Sequence, residues 1–371
     1  MARPRRYALA LELTSHCNQR CSYCYNDWRG DNGRSVGAMP SAELLALLER
    51  ALGEVEFDHI TLTGGEPLAR ADFFAVMELL KRHDTDAFVI SNGGLISDEI
   101  AAKLAGYSLR GIQVTLNSTR AEEHDAVVGG AHFEATIAGV RALRAHDVPV
   151  VGSIVVTRKN ADQVGDILDL WRSLEVETVA LSRFSPAGYA AAHVAELLPS
   201  RTDLVHALEA AELRGAAGMD LQVTLPMPPC MIDHADYPHV GFSSCPIGTQ
   251  MQEFALGPRG ELRSCTLHTE TLGDARTQPF AELLDSPTLT RYRDVTPEFC
   301  APCPHRRSCL GGCGAAAASV LGDPRGLDPF VAQHVDDEFA ARLAAARRGT
   351  AVTGGPAPSP TRARPSLPVV S

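Results

Sequence analysis

Three cysteines, Cys17, Cys21 and Cys24, fall within eight residues at the spacing CxxxCxxC, in the run His16-Cys17-Asn18-Gln19-Arg20-Cys21-Ser22-Tyr23-Cys24-Tyr25. Thiolate is the ligand that iron–sulfur clusters select. Three thiolates on one tight loop can hold three irons of a four-iron cluster, leaving the fourth iron without a protein ligand. An open metal position is what a catalytic centre needs. The rival is a structural zinc site, but such sites are closed and four-coordinate. No further Cys or His follows nearby to complete one, and His16 is too close along the chain to Cys17 to share its metal.

Other chemistry-bearing residues recur at the ends of apolar runs. Gly64-Gly65-Glu66-Pro67 follows the run His59–Thr63, Asn92-Gly93 follows Ala87–Ser91, and Thr115-Leu116-Asn117-Ser118 closes the run that begins at Gly111. The glycines let backbone approach a ligand closely, and a carboxylate such as Glu66 can accept from an ammonium group. Alone, each of these stretches reads equally well as a turn or a cap. The remaining seven cysteines begin only at Cys230: Cys245, fourteen residues, Gly260, four residues and Cys265 are followed by Cys300, Cys303, Cys309 and Cys313 at CxxCx5Cx3C. A zinc ribbon, with two CxxC pairs, fits poorly because this region has one.

The CxxxCxxC loop, with a Gly-Gly-Glu-Pro motif one βα unit later, resembles the radical S-adenosylmethionine (SAM) enzymes. The resemblance covers about residues 7–314. It implies a [4Fe-4S] cluster on Cys17, Cys21 and Cys24 whose open iron is chelated by S-adenosyl-L-methionine. One electron from the cluster then splits SAM into methionine and a 5′-deoxyadenosyl radical, which abstracts hydrogen from substrate. It further implies that Gly64, Gly65 and Glu66 meet the SAM amino group. Asn92 and Thr115 would lie near its carboxylate and ribose, and Tyr23 near the adenine, with plain burial an equal reading for its ring.

The C-terminal cysteines resemble the SPASM extension of the same family, which usually carries auxiliary [4Fe-4S] clusters. On that pattern Cys230, Cys245, Cys265 and Cys313 would hold one auxiliary cluster, and Cys300, Cys303 and Cys309 three irons of a second. The family's last cysteine has no counterpart after Cys313. Asp328, His334 or Asp336 is expected to replace it, unless that iron stays open or only one auxiliary cluster assembles. Sulfatase-maturing relatives carry a catalytic Asp where this chain has Thr266, which speaks against that reaction and leaves His268 as the candidate base.

These residues need a scaffold of strands and helices. Strands are predicted at Tyr7–Leu13, His59–Thr63, Ala87–Ser91, Gly111–Leu116, Val148–Val156 and Thr178–Arg183, with helices at Ser41–Leu52, Asp72–Arg82, Ser97–Leu104, Phe133–Ala145 and Ala161–Leu174. Ser41 and Asp72 are the expected N-caps. Such alternation gives a parallel sheet with helices outside, and the resemblance implies an α/β partial (β/α)6 TIM-like barrel with a C-terminal cysteine-rich iron–sulfur domain. The expected division is a core at 1–189, a helical connector at 190–229, a SPASM domain at 230–335, and a short helix with a disordered Pro- and Ala-rich tail at 336–371. The cysteine-rich region, with strands expected at Met251–Leu256 and Leu262–Cys265, has few long apolar elements, so bound metal is expected to stabilise it.

The 371 residues, 45% hydrophobic with a net charge of −11, can bury a sizeable core and lack the basic footprint of a nucleic-acid binder. No apolar run is long enough to span a membrane, and Glu12 interrupts the only stretch that could mimic a signal peptide. A cytoplasmic location follows, where ten cysteines point to metal rather than disulfides. The resemblance implies a peptide substrate changed by crosslinking or side-chain oxidation, and an electron donor such as flavodoxin or ferredoxin. With the first strand at Tyr7, either a separate leader-binding protein delivers the peptide or the substrate is a small metabolite such as a sugar or aminocyclitol.

Overall fold

The computed structural model describes residues 7–26 and 37–350. The expected disordered tail at 351–371 and the basic start before Tyr7 lie outside the described residues. Eight parallel strands run in chain order across an open sheet: β1 (Tyr7–Thr14), β2 (Phe57–Gly64), β3 (Ala87–Ser91), β4 (Leu109–Thr115), β5 (Val150–Val156), β6 (Thr178–Arg183), β7 (Asp220–Val223) and β8 (Val240–Phe242). The crossovers are α1 (Ser41–Glu54), α2 (Phe73–Arg82), α3 (Asp98–Leu104), α4 (Ala121–Val128) with α5 (Phe133–Ala145), α6 (Val164–Ser173), and α7 (Val194–Leu197) with α8 (Arg201–Ala216). The first six strands and their helices are the partial barrel.

The strands are continuous apolar runs because helices cover them outside and side chains fill them inside. Leu9, Leu11, Ile60, Leu62, Val89, Ile112, Val114, Ile154 and Val179 are all fully buried. Helix α1 buries Leu44, Leu47, Leu48 and Ala51, a stripe with the 3.6-residue period. Ser41 is the first helical residue rather than the cap, since Pro40 holds the N-cap position. Asp72 does sit at the N-cap of α2, but its carboxylate goes to the Arg70 guanidinium instead of the helix amides.

Beyond β8 the chain returns to the opposite edge of the same sheet. Strand β9 (Glu253–Leu256) pairs in parallel with β1, and β10 (Glu261–Arg263) and β11 (Thr271–Asp274) extend it antiparallel. The cysteine-rich region is therefore partly built on the barrel's own sheet, and Phe254, Leu256, Leu262, Phe280 and Leu283 join the main core. This corrects the expectation of a region too poor in apolar elements to pack. Short helices follow: α9 (Phe280–Leu284), α10 (Pro287–Asp294), α11 (Arg306–Cys309), α12 (Gly314–Leu321), α13 (Pro329–Val335) and α14 (Asp337–Thr350). Among the described residues no helix is long and apolar enough to cross a membrane.

Candidate active site

The CxxxCxxC loop leaves the C-terminal end of β1, the end at which parallel α/β sheets bind ligands. It is held from three sides. Arg20 and Ser22 donate their backbone N–H to the carbonyls of Val128 and Val127, at the end of α4, at 2.8 and 3.0 Å. Ala190 donates to the Cys24 carbonyl at 2.9 Å. Asn26 Nδ2 donates to the Gly64 carbonyl at 3.0 Å. With Cys17, Cys21 and Cys24 all half-buried, the loop presents its thiols from a fixed backbone.

Gly64 and Gly65 make that packing possible. Gly64 adopts φ +125°, and a Cβ on it would stand 2.6 Å from the Thr14 carbonyl oxygen. A Cβ on Gly65 would overlap the His16 carbonyl. The two backbones interlock through Gly65 N–H to Thr14 O at 2.7 Å and Glu66 N–H to His16 O at 2.9 Å. The glycines thus admit the cysteine loop itself, where the sequence pointed to a ligand.

Glu66 is fully buried, and burial lifts its carboxyl to about 7. Three donors counter that cost: Leu68 N–H at 3.1 Å, the Ser91 hydroxyl at 2.9 Å and Asn92 N–H at 2.8 Å. Its carboxylate therefore fastens the end of β2 to the end of β3. Asn92 extends the link, since its Nδ2 donates to Asn18 Oδ1 at 2.7 Å and lies 3.9 Å from Cys17 Sγ. Thr115 is half-buried at the end of β4, opposite Ser153 of β5. Two residues on, the buried Asn117 accepts from Val155 N–H on its Oδ1 at 2.9 Å, and its amide faces the Tyr23 phenol. Tyr23 faces Cys21 and Asn117 and packs on the core, and burial raises its phenol well above the usual range.

Two buried ion pairs went unrecognised in the sequence. Arg183, the last residue of β6, donates to Asp328 at 2.6 and 3.3 Å with both side chains fully buried. Glu12 of β1 pairs with Arg263 of β10. Their signal was a charge inside an otherwise apolar strand, which is costly unless paired. His124 of α4 is buried without an ion pair: its Nδ1 accepts from Asn117 N–H at 3.3 Å, and its Nε2 has no hydrogen-bond partner.

The seven later cysteines form two adjoining groups. Burial and neighbouring thiols push Cys245 up to about 11, Cys265 to about 12 and Cys300 to about 11. Such thiols ionise only when a cation takes up the charge, which is how a metal cluster claims its ligands. Among the described residues no three His, Cys, Asp or Glu side chains converge as a single ion would require. A tetrahedral zinc with bonds of about 2.3 Å needs thiols about 3.8 Å apart. His268 is 6% exposed, a neutral imidazole set edge-on against Tyr292, with burial lowering its pKa. It sits behind Cys265 and not on an open face.

Residues 11–170 match the Radical SAM superfamily. The chain is 26% identical over 333 residues to the PqqA peptide cyclase of Streptomyces rochei, covering 86% of this chain and 88% of that one. It is 26% identical over 317 residues to the mycofactocin maturase MftC of Mycobacterium ulcerans, covering 83% of each. In structure it is similar to native anSMEcpe with bound AdoMet and Cp18Cys peptide, with a TM-score of 0.67 and 19% identity over 93% of this chain and 99% of that one. It is also similar to Streptococcus suis SuiB bound to its precursor peptide SuiA, with a TM-score of 0.66 and 13% identity over 87% and 75%.

Proposed function

We propose that the chain is a radical SAM enzyme that oxidatively modifies a ribosomally made peptide, by crosslinking or side-chain oxidation. What carries the reading is the match, over more than four fifths of each chain, to proteins named PqqA peptide cyclase and mycofactocin maturase MftC. Cys17, Cys21 and Cys24 would hold the cluster that binds SAM, and the C-terminal cysteines auxiliary clusters. When bound, these groups supply one-electron cleavage of SAM, hydrogen abstraction from substrate and a place for the substrate's surplus electron.

The protein's own residues prepare the site. The clamped loop fixes three thiols at the mouth of the barrel, and the buried Asn117 amide beside Tyr23 offers a donor suited to a carboxylate or ribose oxygen. Glu66, held beside Asn92, sets the spacing between the ends of β2 and β3. An electron donor such as flavodoxin or ferredoxin and a separate leader-binding protein belong to the same reading, as does a cytoplasmic location that keeps the thiols reduced.

The test is anaerobic incubation of the reconstituted enzyme with SAM, reductant and candidate precursor peptides, followed by mass spectrometry. A two-hydrogen loss from a peptide, with 5′-deoxyadenosine formed, is the expected result. The same loss from a sugar or aminocyclitol, with every peptide unchanged, would overturn the peptide reading.

A further inference from the structure

The seven C-terminal cysteines cannot be apportioned from their order alone, and the structure divides them differently from the order. One group gathers around Tyr292. Its hydroxyl lies against the Cys245 thiol and 2.7 Å from where a Cβ on Gly314, the neighbour of Cys313, would stand. Its ring meets His268, three residues after Cys265, at 5.2 Å. Cys313 packs on Leu267, two residues after Cys265. Cys245, Cys265 and Cys313 therefore surround one aromatic ring.

The second group lines a single cavity: Cys230, Cys300, Cys303 and Cys309. Three arrive by local folding. Cys303 N–H bonds the Cys300 carbonyl at 3.0 Å, and Cys309 N–H bonds His305 O at 2.8 Å as α11 closes. Cys230 arrives from far earlier, on the turn Pro228-Pro229-Cys230-Met231. Met231 N–H closes it on Pro228 O at 2.9 Å, Pro229 occupies the position where proline presets a turn, and Arg201 Nε grips Met231 O at 2.7 Å.

The three residues expected to replace the missing cysteine have other partners. Asp328 accepts from the Arg183 guanidinium, from Cys313 N–H at 2.8 Å and from Phe330 N–H at 2.8 Å. His334 Nε2 accepts from Arg201 N–H at 3.2 Å. Asp336 caps α14 through Phe339 N–H at 3.0 Å.

We infer that Cys230 is the fourth thiolate of the site made by Cys300, Cys303 and Cys309, closing it from the N-terminal side, while Cys245, Cys265 and Cys313 form a separate three-thiolate site. The inference rests on the reading of this region as an iron–sulfur domain. A four-thiolate site has no vacant iron, whereas a three-thiolate site leaves one.

The test uses full-length protein carrying Cys17→Ala/Cys21→Ala/Cys24→Ala, reconstituted anaerobically, so that all remaining iron is auxiliary. Iron, sulfide and the EPR and Mössbauer spectra are measured. Cys230→Ala is expected to remove the same spectral component as Cys300→Ala, with the double variant losing no more than either. Cys265→Ala removes the other component. Cys230→Ser should keep the Cys300-dependent cluster with a shifted signal, as an oxygen ligand would give. A Cys300-dependent signal untouched by Cys230→Ala and Cys230→Ser, or loss of the Cys265-dependent one instead, overturns the inference. The reading beneath it fails separately, if the background protein binds zinc without sulfide.

Discussion

The buried pair Arg183–Asp328 offers a direct separation of structural from ligand roles in the cysteine-rich region. Asp328 carries four contacts: two from the Arg183 guanidinium, and one each from Cys313 N–H and Phe330 N–H. Asp328→Asn keeps an oxygen for the backbone donors but leaves the guanidinium charge buried and uncompensated. Breaking such a pair costs about 3–5 kcal/mol. With an unfolding entropy of about 2.1 cal/mol/K per residue, a 371-residue chain loses about 1.3 °C per kcal/mol, so the apparent Tm should fall by about 4–7 °C. Arg183→Met should fall by a smaller amount, since Asp328 keeps its two backbone donors. The double variant Arg183→Met/Asp328→Asn should recover part of the loss, because no charge is left buried, with a coupling of about 0.5–3 kcal/mol. The assay is anaerobic thermal unfolding followed by circular dichroism, with EPR of the reduced clusters recorded alongside. If Asp328 were instead an iron ligand, Asp328→Asn would change a cluster signal that Arg183→Met leaves intact. That result, or strictly additive Tm losses, would refute the reasoning.

Three further outcomes follow from the cysteine loop and its support. Cys17→Ala/Cys21→Ala/Cys24→Ala should abolish 5′-deoxyadenosine formation while auxiliary iron stays bound; continued SAM cleavage would refute the assignment of that loop. Gly65→Ala puts a methyl into the His16 carbonyl and costs two interlocking backbone bonds, about 3–5 kcal/mol borne by the loop, so iron should drop by about four atoms with the auxiliary spectra unchanged. A full iron count would contradict it. Glu66 has a carboxyl near 7 in the folded protein and near 4.5 when free, so between those values the folded state binds more protons and stability falls as pH rises, by at most roughly 3 kcal/mol. Without SAM, the apparent Tm of wild type should decline across that window relative to Glu66→Gln, and parallel pH curves for the two would sink the idea.

The barrel was readable because its signals are local. The strands at Ala87–Ser91 and Thr178–Arg183 and the helix at Phe133–Ala145 form over the expected residues, since apolar runs and 3.6-residue stripes both report burial directly. The missed strands β7, β8 and β11 are three or four residues long and alternate too briefly to stand out, being fixed by pairing with neighbours already in place. The same holds for the site. The loop cysteines declared themselves by spacing, whereas Cys230 is joined to Cys300 only through the fold. The glycines carry a further contact that the sequence does not show, the close approach of the cysteine loop's own backbone.

One short segment joins the two thiol-bearing regions. At Arg183 the chain leaves β6 and grips Asp328, which in turn accepts from Cys313 N–H. At Ser185 the hydroxyl lies 3.6 Å from Cys313 Sγ. At Ala190 the backbone N–H holds the Cys24 carbonyl. Eight residues therefore fix the CxxxCxxC loop and the Cys313 group against the same strand end, with Arg183 and Ser185 nearly inaccessible to water. A buried ion pair is a poor source of net stability but a strong constraint on geometry, because any displacement exposes an unpaired charge to the apolar interior. The separation between the two thiol sets is thus set by the end of β6 and not by the loops that carry them. Loosening that end should blur both sites together, even though no residue of the segment is itself a thiol.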